Sequence, residues 1–437
     1  MTLTADVARL AANIERINGL IEGDDSATIT TQSGAIKPSI SKAVADTSAS
    51  ALAAYYQDLL MYNSLTEALV VSDWKNQLIA HCSTLFADTK SEGGNLWLSH
   101  YASDASYTES IGEDMYCALL KINPCNLSDI SRFTALSRGQ TVGDWVQAVD
   151  IAPYDPTLII EENQIQYIMV GQNGGSVTRG YCRRIFNKTT ELFADTIEYC
   201  QIRYDYSGTT YVEEMTTANL NVMVARVLSL DNVDLGTYPI LSGKIVESGG
   251  FYWGYLGSLQ SSPYGFQGCI IKSADGLTWD YVSAPPLAVR TIWEGALEVV
   301  GDVVYLLLKA DNRYRIYSYD IVGDTWFEGP QILGQILSRP FLFYYNSKLY
   351  AMYNGAPNNV TPWGTVFRSC LAISVIDQTT LAIIDTQKVM TDAGCHYFSM
   401  TESKGTLFMS YTEDRRKHDI TQMKGNISVT PVRFLNV

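Results

Sequence analysis

The chain has 437 residues and a formal net charge of −15; 46% of its residues are hydrophobic, 11% are aromatic and only 18% are charged. This acidity excludes a nucleic-acid partner, because phosphate binding requires basic stripes. With no apolar run of about 18 residues and no secretory signal, the sequence predicts no membrane insertion and assembly in a cytoplasm. Many aromatic and few charged residues favour a mainly β protein.

The first 21 residues carry the apolar spacing of a coiled coil. Steps of four and three residues alternate along this segment, and isoleucine at both seam positions favours three strands over two. The run is too short to be a stable helix alone, so it needs neighbours. We therefore expect a homotrimeric stalk whose seam contains Leu3, Val7, Leu10, Ile14, Ile17 and Ile21.

Residues 28–44 read TITTQSGAIKPSISKAV, a polar extended stretch between two helical segments. A short coiled coil followed by a TTQSG…KP segment resembles the N-terminal adaptor region of tail fibres and tailspikes of tailed bacteriophages. The resemblance implies that residues 1–65 attach a trimer to tail or adaptor proteins in the virion, after assembly in the host cytoplasm. The alternative is a generic trimerisation stalk of another secreted or cell-surface β protein.

Six hairpin patterns recur in residues 66–437, each an apolar run, a turn and an aromatic-rich run. A third strand follows most of them, which indicates a β-propeller of three- or four-stranded units. We predict six blades, or five if the first unit only completes another blade. Residues 125–150 and 201–236 are interpreted as long loop insertions.

The stretch SADGLTW at 273–279 resembles the Asp-box turn of sialidase-like propellers, shortened by one residue. The resemblance implies a structural role: Asp275 and Gly276 shape a tight turn, and Trp279 packs into the blade. YDIVGDTW at 319–326 is a looser version. Neither motif is expected to be catalytic.

Positions 11 or 12 residues before the aromatic residue of each hairpin should point toward one mouth of the central channel. In four units this position is ionisable: Asp155, Glu294, Arg339 and His396. Beside them lie Tyr154, Trp293 and Tyr397, with Arg290 nearby.

The YDP, WEG and SRP blade starts resemble those of five-bladed glycosidases. By that resemblance Asp155 would be the base or nucleophile and Glu294 the acid, with Arg339 and His396 positioning them. The chain departs from the family, since Asp88 is the nearest candidate for a third carboxylate. A sialidase would also need three arginines, where the sequence offers Arg339 and Arg290.

Two other interpretations of these residues stay open. One is a buried ion network with Asp155–Arg339 and Glu294–His396 pairs. The other is a non-catalytic pocket for a glycan or receptor. With four histidines and no CxxC spacing, we expect no metal site and no cofactor.

The sequence thus favours a phage tail fibre protein whose propeller head binds a bacterial surface polysaccharide or outer-membrane receptor. A glycan depolymerase using Asp155 and Glu294 is the enzymatic alternative. A structural connector carrying another receptor-binding protein is the third.

Overall fold

The computed structural model describes most of the chain between residues 85 and 436 and four short strands before it. The ranges are 28–30, 36–38, 67–71, 77–80, 85–102, 115–149, 153–174, 179–228, 239–258, 268–286, 292–310, 313–333, 338–355, 359–361, 364–366, 368, 370–390, 394–414 and 425–436. The predicted coiled-coil seam, from Leu3 to Ile21, lies outside them.

Contacts divide the chain into a smaller unit, Met1–Ser72 with Val432–Val437, and a larger unit, Asp73–Pro431. In the smaller unit β1 (Thr28–Thr30) pairs antiparallel with β2 (Ile36–Pro38), so the predicted extended stretch contains a short ladder. Next along the chain come β3 (Glu67–Val71) and β4 (Gln77–Ala80). The predicted division into a stalk of residues 1–65 and a propeller head of residues 66–437 stays a prediction.

In the described part of the chain, six multi-stranded sheets follow, antiparallel except for one strand pair of sheet 3, together with two small strand pairs. Sheet 1 contains β5 (Leu85–Glu92), β6 (Asn95–Ala102), β7 (Tyr116–Asn123) and β8 (Asn126–Ser137), followed by the pair β9 (Thr141–Val142) and β10 (Trp145–Val146). Sheet 2 contains β11 (Tyr154–Ile160), β12 (Gln164–Gly171), β13 (Gly180–Asn187), β14 (Leu192–Phe193) and β15 (Glu198–Tyr199).

Sheet 3 is the widest of the six because a two-stranded hairpin pairs with its four main strands. A helix follows the hairpin along the chain. The hairpin is β16 (Gln201–Tyr206) with β17 (Thr209–Glu214), and α1 spans Thr217–Val227. The main strands are β18 (Pro239–Ser248), β19 (Phe251–Ser258), β20 (Cys269–Ser273) and β21 (Thr278–Ser283).

The remaining sheets are built in the same way. Sheet 4 contains β22 (Ile292–Val300), β23 (Val303–Ala310), β24 (Arg313–Asp320) and β25 (Thr325–Leu333). Sheet 5 contains β26 (Phe341–Tyr345), β27 (Lys348–Asn354), β30 (Cys370–Ile376) and β31 (Ile383–Met390), with the pair β28 (Asn359–Thr361) and β29 (Gly364–Val366) between them. Sheet 6 contains β32 (Gly394–Ser403), β33 (Thr406–Asp414) and β34 (Gly425–Asn436).

The two parts of β34 take their other partners from the two units. Residues 427–429 pair with β4 in the larger unit, and residues 432–436 pair with β3 in the smaller unit. Sheets 1 to 5 each take their blade strands from one stretch of chain in order, which corresponds to the five-bladed alternative. The mainly β, propeller-like arrangement predicted from the hairpins is confirmed.

Successive sheets pack face to face, and the first strand of each contacts the first strand of the next. Separate apolar clusters fill the spaces between sheets 1 and 2, 2 and 3, 3 and 4, and 4 and 5. Another cluster lies between sheets 1 and 6. The aromatic residue of each hairpin, such as Tyr167 or Tyr305, is buried in these layers. Burying both faces of each sheet explains the many aromatic residues.

The hairpin turns follow the predicted turn chemistry. Gly93 and Gly94 connect β5 to β6 with φ of 60° and 77°, and Gly249 and Gly250 connect β18 to β19 with φ of 61° and 76°. Two consecutive residues with positive φ are what a type I′ hairpin requires, and glycine supplies them without strain.

The Asp-box resemblance at 273–279 corresponds to a built turn. The Ser273 Oγ accepts N–H bonds from Asp275 and Gly276, and Asp275 Oδ1 accepts N–H bonds from Leu277 and Thr278. Trp279 is fully buried and its indole N–H donates to the Gly276 carbonyl at 3.2 Å. The predicted structural role is confirmed.

Turns of the same kind recur in other blades, one of them in the looser version of the motif at 319–326. Asn187, Asp320 and Asp377 each accept N–H bonds from the residues two and three positions later. Each side chain replaces a backbone acceptor at the end of a third strand.

The prediction of loop insertions was wrong in both places. Residues 126–137 form β8, and residues 201–214 form the β16–β17 hairpin, in which β16 pairs parallel with β21. The helix α1 then buries Leu220, Met223 and Val224 and is capped by the Thr216 hydroxyl. These segments resembled loops because their outer faces are polar, whereas their inner faces pack on the blades.

Candidate functional site

The first strands of five sheets share an irregularity in register with the neighbouring strand. In four of them two residues oppose one residue of the partner strand, close to the start of the first strand. These bulges lie between Leu85 and Asp88 in β5, between Tyr154 and Thr157 in β11, between Ile292 and Gly295 in β22, and between His396 and Ser399 in β32. A bulge redirects side chains away from the regular alternation. The irregularity therefore decides which side chains meet at this end of the channel.

Asp155 occupies the first bulge position of β11. Its φ is +50°, a conformation that costs free energy in a non-glycine residue and is concentrated at functional sites. The carboxylate is 2% exposed. Arg339 Nη2 donates to Asp155 Oδ1 at 2.7 Å, and the Tyr181 hydroxyl donates to Oδ2 at 3.5 Å. The predicted Asp155–Arg339 pair is thus present.

Glu294 lies at the second bulge position of β22 and is 3% exposed. Lys309 is the residue of β23 that lies opposite this bulge, and its Nζ donates to Glu294 Oε2 at 3.0 Å. Arg339 Nε lies 3.7 Å from Glu294 Oε1. One guanidinium therefore lies against both carboxylates, and it is itself only 8% exposed.

Their surroundings shift the pKa values of the two carboxyl groups in opposite directions. Burial raises the pKa of Asp155 above its usual 3.8, and the neighbouring Arg339 only partly offsets that effect. Burial also acts to raise the pKa of Glu294, but Lys309, Arg339 and Arg368 together lower it below its usual 4.5. Environments that push two carboxyl pKa values apart are typical of acid and base pairs. Here Asp155 keeps its proton to a higher pH than usual and Glu294 stays ionised to a lower one. The predicted catalytic roles of the two residues stay predictions.

Tyr397 occupies the same bulge position in β32 as Asp155 in β11, with a φ of +54°. The Arg368 guanidinium lies 5.8 Å from its ring centroid. Tyr154 is half-buried and packs on two apolar clusters. These contacts bring Tyr397 and Arg368 to the same end of the channel as Glu294.

Other predicted site residues are described only through their backbones. His396 and Trp293 lie at the bulges of β32 and β22, and Asp88 lies where the register shifts in β5, but their side chains are outside the described part of the structure. Glu294 instead pairs with Lys309 and Arg339. The predicted Glu294–His396 pair and the roles of Trp293 and Asp88 stay predictions.

Sequence reasoning missed Lys309, Tyr181 and Arg368. The first two lie on second and third strands, which the search for first-strand residues did not include. Lys309 had a usable signal, because it directly follows the strongly apolar run VVYLLL in β23. Among the described residues, no group of three or more histidine, cysteine or acidic side chains is placed to hold a metal ion. Nor does any described helix have the length and hydropathy needed to cross a bilayer.

The arrangement has two chemical capacities. A buried guanidinium between two carboxylates can hold a rigid polar surface that accepts and donates hydrogen bonds. Alternatively, two carboxyl groups beside one guanidinium supply the two residue types of a glycosidase pair, which requires a separation of roughly 5–9.5 Å. In this structure Arg339 lies against both carboxylates, where a glycosidase pair needs room for a sugar or a water molecule.

No protein-family model matches this chain. No curated protein matches it either.

Solved structures do match in fold. The chain is similar to Trypanosoma rangeli sialidase in complex with sialic acid, with a TM-score of 0.51 and 12% identity over 85% of this chain and 59% of that one. The same sialidase with 2,3-difluorosialic acid gives a TM-score of 0.52 and 13% identity over 85% of this chain and 58% of that one. A GH43_1 enzyme from Xanthomonas citri gives a TM-score of 0.44 and 11% identity over 82% of this chain and 90% of that one.

At these identities the sialidase likeness shows the fold alone. The chain spans about three fifths of the length of the sialidase structures that it matches. The shared feature is the β-propeller.

Proposed function

We propose that this protein is the trimeric receptor-binding fibre of a tailed phage. Residues 1–65 would attach three copies to tail or adaptor proteins in the virion, and the propeller would bind a glycan on the bacterial surface. The buried Asp155–Arg339–Glu294 cluster carries the proposal. It supplies fixed polar groups at one end of the channel, and a guanidinium occupies the space between its carboxylates.

The burial and pairing of these charges favour binding over hydrolysis. Each carboxylate is at most 3% exposed and each lies against a cationic side chain, so neither is free to attack a sugar or a water molecule. A glycan would instead contact the half-buried Tyr154 and Arg368 beside the cluster, since Tyr397 is only 6% exposed. Tyrosine rings suit sugars because they present both an apolar face and a polar tip.

The test is a binding assay with fluorescently labelled protein on susceptible bacteria. Arg339→Lys keeps a charge at the cluster but loses the planar donors that reach both carboxylates. We expect this variant to lose at least tenfold in cell binding while remaining folded. Arg315→Lys is the matched control, because Arg315 pairs with the half-exposed Glu328 on sheet 4. Equal binding by both variants would contradict the proposal.

A depolymerase is the second candidate, and the opposed pKa directions of Asp155 and Glu294 favour it. It requires that Arg339 give way when a glycan enters. The sialidase neighbours act on glycans, but their activity enters here only as a reason to test the same chemistry.

A connector is the third candidate, and exposed apolar side chains on neighbouring sheets favour it. Phe327 on β25 is 49% exposed and Ile384 on β31 is 63% exposed. Replacing both with serine should abolish capture of another virion protein if the head is a connector. It should leave cell binding unchanged if the head is the receptor-binding element.

We also propose that sheet 6 is a sixth blade. The Thr89 N–H of β5 donates to Ser399 Oγ of β32 at 3.0 Å, and the Thr89 and Ser410 hydroxyls lie 2.6 Å apart. These bonds support a ring closed between sheets 1 and 6. A cryo-electron microscopy map of the head should show six blades along the axis, and five would contradict this count.

A further inference from the structure

A cavity of about 380 Å³ lies at the far ends of the first strands. Its walls include the last residues of β5 and β11 and residues 244–247 of β18. Asp155 is near the start of β11, whereas Ile159 and Ile160 at its end line the cavity. At about 3.3 Å per residue, Asp155 and Ile159 are roughly 13 Å apart along the strand. The cavity is therefore separate from the Asp155 cluster.

The two lysines in the cavity wall are already bound to the protein. Lys90 Nζ donates to the Leu158 carbonyl at 2.6 Å and to the Ile245 carbonyl at 2.7 Å, which ties β5 to β11 and β18. Lys244 Nζ pairs with Glu298 Oε2 at 2.5 Å. An anionic ligand would have to break these bonds, and the Glu92 and Glu247 carboxylates near the rim would repel it.

Other polar groups in the wall are available to a ligand. Within the described residues the side chains of Ser91, Thr401 and Glu247 make no hydrogen bond. Two hydroxyls and a carboxylate match the donors and acceptors of a sugar without meeting a charge of the wrong sign.

Apolar surface lies beside these groups. Ile160, Val246 and the half-buried ring of Tyr252 also line the cavity. The Tyr252 hydroxyl donates to Glu161 at 3.4 Å, which anchors the tip of the ring. A volume near 400 Å³ with mixed lining falls within the usual range for small-ligand pockets, about 300–1,000 Å³.

We propose that this cavity binds a single sugar residue that carries no negative charge. The sugar hydroxyls bond to Ser91, Thr401 and Glu247, and one face of its ring packs on Tyr252. The site lies at the opposite end of the channel from the Asp155 cluster, and the proposal does not depend on what that cluster binds.

The test uses saturation-transfer difference NMR on the full chain. The neutral probes are the methyl glycosides of glucose, galactose, mannose and N-acetylglucosamine at millimolar concentration; the anionic probes are methyl glucuronide and N-acetylneuraminic acid. We expect at least one neutral probe to receive saturation and the anionic probes to receive none. The absence of any signal from the neutral probes would overturn the proposal, as would a stronger signal from the anionic ones.

Three variants locate the signal. Tyr252→Ala and Thr401→Val, which act through different contacts, should each weaken neutral-sugar binding at least tenfold. Tyr206→Ala is the matched control, because this tyrosine is 40% exposed on the β16–β17 hairpin. Glu294→Gln reports on the opposite end of the channel, so a signal that is lost in this variant and kept in the cavity variants comes from the Asp155 cluster. A signal that survives both cavity variants, or disappears in Glu294→Gln, would overturn the proposal.

If Tyr252→Ala fails to fold, Thr401→Val and Ser91→Ala test the same site with smaller changes. Because Glu294→Gln is in the same set, failure of this proposal is distinguishable from failure of the proposed receptor-binding function. Each of the two ends has its own variant.

Discussion

The two ends of the channel use charged side chains in different ways. At one end Asp155, Glu294 and Arg339 are all at least nine-tenths buried and neutralise one another. At the other end Lys90 is bound to backbone carbonyls beside an open cavity. Removing the partner of a charge therefore has different energetic consequences at the two ends. An unpaired charge in the buried cluster cannot be hydrated, whereas a group beside the cavity can be.

The end with the buried ion cluster should matter most for stability, and the end with the cavity most for ligand binding. A buried ion cluster is strongly damaged when one partner is removed, although the intact cluster adds little stability. Open, unpartnered hydroxyls contribute little to folding but are ready to bond a ligand. We therefore expect large folding effects at the Asp155 end and small folding effects with large binding effects at the cavity end.

The largest effect should come from Arg339→Met. It leaves Asp155 and Glu294 buried beside each other without the guanidinium, which should cost about 3–5 kcal/mol of unfolding free energy. Urea unfolding at neutral pH measures this. Arg315→Met is the control, since Arg315 pairs with a half-exposed glutamate and should cost under about 1 kcal/mol. Equal losses in the two variants would erase the contrast between buried and exposed charge.

Lys90→Met should have an intermediate effect. It removes the ammonium from the Leu158 and Ile245 carbonyls, at a cost of about 2 kcal/mol, because water in the adjacent cavity can reach them. Thermal and urea unfolding provide the measurement, with Lys121→Met at the partly exposed Glu191 pair as the control. A loss as large as that of Arg339→Met would mean that water is excluded from both ends equally.

Ser273→Ala provides a baseline at a residue that belongs neither to the Asp155 cluster nor to the cavity wall. Its hydroxyl accepts two N–H bonds and donates to the Thr278 carbonyl at 2.6 Å within the Asp-box turn. We expect a loss of about 1 kcal/mol in urea unfolding. The exposed Ser131→Ala should change nothing measurable. If Ser273→Ala were also silent, the turn would not stabilise the blade.

The smallest effect is a change in how stability depends on pH. Because the pKa of Asp155 is raised on folding, its contribution is complete below about pH 4 and is lost as the pH rises through the raised value. Asp155→Asn should therefore gain on the wild type as the pH increases from about 4 to 7. The pKa of Glu294 is lowered, so its contribution is present above about pH 4.5 and is lost as the pH falls through the lowered value.

Glu294→Gln should accordingly show the opposite trend, with its deficit shrinking toward acid pH. Urea unfolding of both variants across this range measures the two slopes. Parallel slopes for the two variants would contradict the assignment of opposite pKa shifts.

The propeller could be predicted from sequence because its signals are local. Each hairpin combines an apolar run, a turn residue such as Gly94 or Gly250, and an aromatic residue. The β16–β17 hairpin and α1 could not be predicted, since β16 pairs with β21 across about 75 residues. Their apolar faces become visible only when that long-range pairing is known.

The candidate site was predictable in part for a similar reason. Asp155, Glu294 and Arg339 share a position relative to the aromatic residue of their hairpins, and the structure brings them together. Lys309 contributes through a bulge, which shifts the register by one residue. The pKa order of the carboxyl groups depends on which cations surround each one, and spacing along the chain does not contain that information.

We propose that the Asp155 end binds a glycan without cutting it. The direct measurement is to incubate wild-type protein and Glu294→Gln with surface polysaccharide from susceptible bacteria and follow the chain length by size-exclusion chromatography with light scattering. We expect the wild-type protein to bind the polysaccharide and to leave its chain length unchanged. Shortening of the chains by the wild type, abolished in Glu294→Gln, would contradict it and identify a depolymerase.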